Sequence, residues 1–147
     1  MRLSTNRLTA LIVGVLWLIA GIAGFFVTPR VGFFSARGEQ LVGLFSVNPF
    51  ANALAVVLGA ALMLAGMSGA AATAKVANTS AGTVFLVLGL AGLFVVGTDA
   101  NVLALNGADN VVHFASSVLL LAVGLGADRS ETKDAAPDPG TRNDPRS

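Results

Sequence analysis

Leu8-Thr-Ala-Leu-Ile-Val-Gly-Val-Leu-Trp-Leu-Ile-Ala-Gly-Ile-Ala-Gly-Phe-Phe-Val-Thr28 is a run of 21 residues without a charge. At about 1.5 Å of rise per residue it would reach about 31 Å as a helix, which matches a bilayer hydrocarbon core of about 30 Å. This stretch therefore predicts a membrane-spanning helix. Arg2 and Arg7 precede it, as basic residues precede a secretory signal. A signal's apolar core is only about 7–15 residues long, and here the run ends at Thr28-Pro29-Arg30 with no small-residue cleavage pattern, so a retained span is expected.

Three further runs follow, at about 48–69, 80–97 and 109–127, each without a charge in its interior. The chain is 54% hydrophobic and 12% charged, with a mean hydropathy of +0.77, whereas soluble domains carry roughly 25% charged residues. Between Arg7 and Asp128 the charged residues are Arg30, Arg37, Glu39, Lys75, Asp99 and Asp109, all in or beside the gaps between runs. Backbone amides in lipid must be satisfied within their own segment, so four such runs imply helices rather than open strands. The expected fold is all-α: a polytopic membrane four-helix bundle over residues 1–127, followed by a polar tail over 128–147. The tail has three prolines and no large apolar residue, a composition expected to stay disordered.

The chain also aligns with itself. Gly14-Val-Leu-Trp-Leu-Ile-Ala-Gly-Ile-Ala-Gly-Phe-Phe-Val27 matches Gly82-Thr-Val-Phe-Leu-Val-Leu-Gly-Leu-Ala-Gly-Leu-Phe-Val95 at an offset of 68. Val47-Asn-Pro-Phe-Ala-Asn52 matches Leu105-Asn-Gly-Ala-Asp-Asn110 at an offset of 58, as Gly66 matches Gly124. Each unit is a two-helix hairpin, so the expected arrangement is two tandem parallel repeats about an axis near the membrane normal. The recurring small residues let helix backbones approach closely, within the bundle or at a dimer face.

Polar residues gather at the starts of the second and fourth runs: Asn48 and Asn52, then Asn106, Asp109, Asn110 and His113. Asn48/Asn52, Asn106/Asn110 and Asp109/His113 are each spaced i, i+4, which places each pair on one helix face. Asn48 and Asn106 have the character of N-caps, with Pro49 in a first turn where a missing N–H costs little. Asn52 and Asn110 are then expected to hydrogen-bond between helices. The sharper reading is a carboxylate orienting an imidazole at Asp109 and His113, since ionisable groups at membrane depth mark proton-sensing or ligand sites.

Several chemistries are excluded or disfavoured. A net charge of +1 with no basic stripe argues against nucleic acid. With no cysteine there is no disulfide, thiolate nucleophile or iron–sulfur cluster, and one histidine cannot ligate haem twice. Zinc would have to rely on carboxylates, and no cofactor is implied. The sequence lacks phosphate-loop, nucleophile-elbow and His-Glu-x-x-His motifs, and no nucleophile sits beside an activating base. A non-enzyme is expected.

The first connecting segment, 29–47, mixes Phe33, Phe34, Leu41, Leu44 and Phe45 with Arg30, Arg37, Glu39 and Gln40. It reads either as an amphipathic helix lying at the membrane interface or as a docking surface for another membrane protein. Arg2, Arg7, Lys75, Arg129, Lys133, Arg142 and Arg146 fall on the side of the termini, against Arg30 and Arg37 on the other. This bias predicts a multi-pass plasma-membrane protein with both termini cytoplasmic.

With Leu44-Phe-Ser-Val-Asn-Pro-x-x-Asn52 and Leu105-Asn-Gly-Ala-Asp-Asn-Val-Val-His113, the chain resembles a family of small actinobacterial membrane proteins, catalogued as domain of unknown function 4383, over roughly residues 8–127. In that family the doubled Asn-x-x-x-Asn pattern often ends in His in both copies; the matching positions here are Ala55 and His113. The resemblance implies a topology and no activity. The expected function is that of a non-catalytic accessory or stabilising subunit of a larger membrane assembly, with the bilayer and a membrane-protein partner or second copy as its contacts. The alternative is a small-molecule, ion or lipid binding or transport protein with its polar site between the repeats near the outer face.

Overall fold

A computed structural model describes residues 3–127; the tail expected to be disordered lies outside the described residues. Among the described residues there are four helices: α1 (Thr5–Val27), α2 (Pro49–Met67), α3 (Ala71–Val95) and α4 (Gly107–Gly126). All four are long and apolar enough to cross a membrane, and the chain is a multi-pass membrane protein whose surroundings are a lipid bilayer.

Each helix boundary has a local cause. Ser4 caps α1 by accepting a hydrogen bond from the Arg7 N–H. Thr28 ends α1: its N–H and hydroxyl both donate to the Gly24 carbonyl, and Pro29 disfavours a further helical residue before it. Asn48 caps α2 with Pro49 behind it, and Gly69 at φ 85° turns the chain toward α3 in the left-handed region glycine tolerates. Asn106 and Asp109 close a capping box on α4: Asn106 accepts from the Asp109 N–H at 3.0 Å, and Asp109 accepts from the Asn106 N–H at 2.9 Å.

α3 starts at Ala71, well before the apolar run at Ser80. Lys75 accordingly lies within a helix, not in a loop. Thr73, Lys75, Asn78 and Thr79 lower the hydropathy of this segment without breaking its helix. Asn78 is fully buried there and donates to the backbone and side-chain oxygens of Asn6, both at 3.0 Å.

The segment between α1 and α2 also departs from expectation. In place of an interfacial helix, β1 (Glu39–Leu41) and β2 (Phe45–Val47) pair antiparallel, with Leu41 opposite Phe45 and Glu39 opposite Val47. The reversal runs through Val42 and Gly43 at φ 50° and 70°, closed by a Leu44 N–H to Leu41 carbonyl bond. Positive φ at both central residues matches the twist of a tight hairpin and is incompatible with a helix. Outside the hairpin, Phe33, Phe34 and Phe50 form an aromatic cluster with centroid separations of 4.8–5.8 Å.

α1 packs along α2 and α3 along α4, while the two hairpins meet through α2 and α3, through α1 and α3 and, to a lesser extent, through α1 and α4. At the α1–α2 contact, a Cβ on Gly14 would lie 2.7 Å from the Gly59 carbonyl oxygen, so only glycine permits the approach. The shared core is small: Ala10, Val13, Leu62, Ala74, Ala81, Phe85 and Leu120. Leu16, Ile19, Val57, Val87, Leu93 and Val118 instead point outward. In water such exposure would be costly; against lipid tails it is not.

Candidate functional site

The polar residues singled out in the sequence converge at the end of the bundle that carries the β-hairpin, but they do three separate jobs. Asn48 and Asn106 act as caps and as braces. The Asn48 oxygen accepts from the Ala51 N–H at 2.8 Å, while its amide nitrogen donates to Ser35 and Val102 carbonyls at 2.9 and 2.8 Å. The Asn106 amide nitrogen donates to the Leu44 carbonyl at 2.9 Å. Each cap thus holds the connecting segment of the opposite hairpin. Asn101 shapes one of those segments by bonding both the N–H and the carbonyl of Leu105.

Asn52 and Asn110 fill glycine notches. The Asn52 amide lies on Gly24 of α1 and donates to the Thr28 hydroxyl at 3.0 Å. The Asn110 amide lies on Gly92 of α3, and its buried Oδ1 has no hydrogen-bond partner among the described residues. The position corresponding to Thr28 at the offset of 68 is Val96, which offers no hydroxyl.

Asp109 and His113 do not form the expected hydrogen-bonded pair. The Asp109 Oδ2 accepts from the Asn106 N–H and, across the hairpins, from the Ser46 N–H at 3.2 Å. The carboxylate therefore ties β2 to the start of α4. His113 turns toward aromatic rings instead: its imidazole stacks on Trp17 at 5.5 Å and Phe85 at 5.8 Å, and those two rings stack on one another at 4.6 Å. His113 is 6% exposed, and its fully enclosed Nδ1 has no hydrogen-bond partner among the described residues. The Trp17 indole N–H donates to the Ser116 hydroxyl at 3.2 Å.

These groups border a cavity of about 370 Å³. It lies between α2 and α4, which make little direct contact, and under the β-hairpin. Its lining is mostly apolar, from Leu54, Ala55, Leu58, Leu88, Val112 and Leu119 among others, with Ser46, Asn52, Asp109, His113 and Ser116 as polar points. Volume and lining are those of a small-molecule site: an apolar enclosure with a few placed polar groups. Asn48, Asn106 and Asn110 are outside the lining. Among the described residues no three His, Cys, Asp or Glu side chains gather to hold a metal ion.

Trp17, Phe85, Ser46 and Ser116 belong to this site although sequence reasoning did not select them. Trp17 and Phe85 carry a signal in retrospect, since they occupy matching places in the aligned stretches. Ser116 reads as an ordinary small residue until Trp17 is seen against it.

Comparison with curated proteins and comparison with solved structures each return no match. The sequence model of one family, described as Domain of unknown function (DUF4383), matches residues 7–126, nearly the whole of the helical region built up above. The capped, glycine-notched four-helix chain belongs to that family.

Proposed function

We propose that this protein is a non-catalytic membrane binding protein that holds a small lipid-soluble molecule between α2 and α4. The observation that carries the reading is the cavity of about 370 Å³, apolar except for a few polar side chains, one of which, His113, makes no hydrogen bond among the described residues. The His113 Nδ1 is closed off from the cavity, but Nε2 is accessible and makes no hydrogen bond among the described residues, and a ligand group bonding it there would contribute about 0.5–1.5 kcal/mol. Its chemistry is that of holding rather than transforming: Ser116 receives the Trp17 indole N–H, and no hydroxyl donates to His113 among the described hydrogen bonds.

In this reading the two hairpins are tandem parallel copies of one unit, and the cavity straddles their pseudo-twofold axis. Support comes from contacts recurring at the sequence offsets. Gly24 meets Asn52 as Gly92 meets Asn110, Gly14 meets Met63 as Gly82 meets Leu121, and Gly21 meets Val56 as Gly89 meets Phe114. The Lys and Arg bias places both termini in the cytoplasm and the β-hairpin end, with the cavity, at the outer face of the plasma membrane. Cysteines at Ser35 and Ala136 in this cysteine-free chain test that topology: an impermeant reagent added to intact cells labels the first and not the second.

The accessory-subunit reading draws on the absence of catalytic groups, the small packing residues and the amphipathic segment 29–47; the small residues pack within the bundle and the segment folds back as a β-hairpin, so no specific contact favours it over binding. The deciding experiment is purification from native membranes in mild detergent, with mass spectrometry of everything retained. The wild type is expected to carry a defined small molecule that Ala55→Phe, which fills the cavity, does not carry. A stoichiometric membrane protein, retained by both forms with no small molecule, would replace binding with subunit assembly.

A further inference from the structure

The cavity's two long walls come from matching positions yet differ in chemistry. Ala51, Ala55 and Leu58 of α2 correspond, at the offset of 58, to Asp109, His113 and Ser116 of α4, and all six line the space. Phe45 with Leu103, Val47 with Leu105, and Leu54 with Val112 are apolar in both copies. At these three positions α2 is apolar and α4 polar; Asn52 and Ser46, which also line the space, are already engaged, Asn52 as donor to the Thr28 hydroxyl and Ser46 through its N–H to Asp109.

The polar wall also has a defined hydrogen-bonding sense. A carboxylate accepts only, and Asp109 Oδ2 already receives two backbone N–H groups that orient it. An imidazole both donates and accepts, and the accessible ring nitrogen of His113, Nε2, makes no hydrogen bond among the described residues. A ligand that ends in a carboxylate would meet Asp109 as a like charge, and one with no polar end would leave the Asp109 and His113 side of the cavity without a partner. We infer, resting on the binding reading above, that the ligand is an apolar molecule with a single hydrogen-bond-donating head, a hydroxyl or an amine. The head is directed at Asp109 and His113, and the apolar body lies along Ala51, Ala55 and Leu58. Ala51 and Ala55 are then the residues that admit the body, because larger side chains there would occupy its place.

Trp17 is the sole tryptophan and lines the cavity, so its fluorescence reports occupancy. The full chain in phosphatidylcholine nanodiscs is titrated with ω-brominated undecanol, whose bromine quenches indole at short range. Saturable quenching is expected, reversed by undecanol and undecylamine. Undecanoate and undecane should compete at least about tenfold less well, the factor given by about 1.4 kcal/mol of a lost hydrogen bond to a charged group. Ala55→Phe should remove the saturable component, with Ala51→Leu as a second occluding variant and circular dichroism verifying that each remains helical. If undecanoate or undecane competes as well as undecanol, the donor-head inference is overturned while binding in the cavity stands. If quenching is the same in wild type and in both folded occluding variants, the probe is merely dissolved in lipid and the binding reading itself falls.

Discussion

The first hairpin, α1–α2, and the second, α3–α4, are built on matching positions but close in different ways. In the first, helix backbones meet directly at Gly14 and Gly59, and the Asn52 amide is satisfied by Thr28. In the second, Gly82 faces the side chains of Leu120 and Leu121, Ser117 stands where Gly59 does, and the buried Asn110 oxygen lacks a partner. His113 replaces Ala55, and Asp109 replaces Ala51. The first hairpin closes by backbone contact, with Asn48 and Asn52 donating to named partners; the second turns a carboxylate and an imidazole to the cavity. A cavity whose two walls were both close-packed would have no preference for a ligand's head, and one with both walls polar would need twice the hydrogen bonding in lipid.

The largest effect that would break this contrast is at the closest backbone contact. Gly14→Ala places a Cβ 2.7 Å from the Gly59 carbonyl and 2.9 Å from the Met63 Cα, atoms that cannot rotate away. A loss of about 3 kcal/mol is expected in unfolding from mixed micelles. Gly82→Ala, meeting the Leu121 Cγ at 2.9 Å, should cost about 1 kcal/mol because that side chain can shift. Equal losses would mean that the two hairpins are packed alike.

Next comes Asn48→Ala, which removes one cap and two braces to Ser35 and Val102. A loss of about 2 kcal/mol is expected, together with faster amide exchange at Ala51 and in the 96–106 segment of the opposite hairpin. Exchange confined to α2 would show that the brace does not couple the hairpins.

Smaller effects test the paired amides. Asn52→Ala should cost about 1 kcal/mol, because Thr28 loses its partner. Asn110→Ala should cost clearly less, since it also removes an unpaired oxygen. The smallest expected change is a gain: Val96→Thr places a hydroxyl where Thr28 stands in the first hairpin and should stabilise by about 0.5 kcal/mol, provided Asn110 is present. The new hydroxyl would accept from the Asn110 amide nitrogen, as Thr28 does from Asn52; a double-mutant cycle between the two positions measures this coupling, and a zero value would show that the second hairpin gains nothing from the bond that closes the first.

The four spans were legible because hydropathy reports burial in lipid directly, and the caps at Asn48 and Asn106 were legible because capping is a local matter of three or four residues. The early start of α3 was not, because Lys75 and Asn78 are helical by backbone yet polar by side chain. Nor was the β-hairpin, whose residues 39–47 hold an amphipathic composition open to helix or strand. Among the candidate site residues, the i, i+4 spacing correctly put Asp109 and His113 on one face. It could not reveal that Asp109 serves the Ser46 and Asn106 N–H groups while His113 turns to Trp17 and Phe85.

By itself the sequence determined that this chain lives in a membrane as four helices, since apolar length and backbone hydrogen bonding leave no other economical arrangement. Only the tertiary structure decided where its polar groups act. A cavity is a gap between α2 and α4, created by how far the packing of α1 on α2 and of α3 on α4 holds those helices apart, and no single segment encodes that separation.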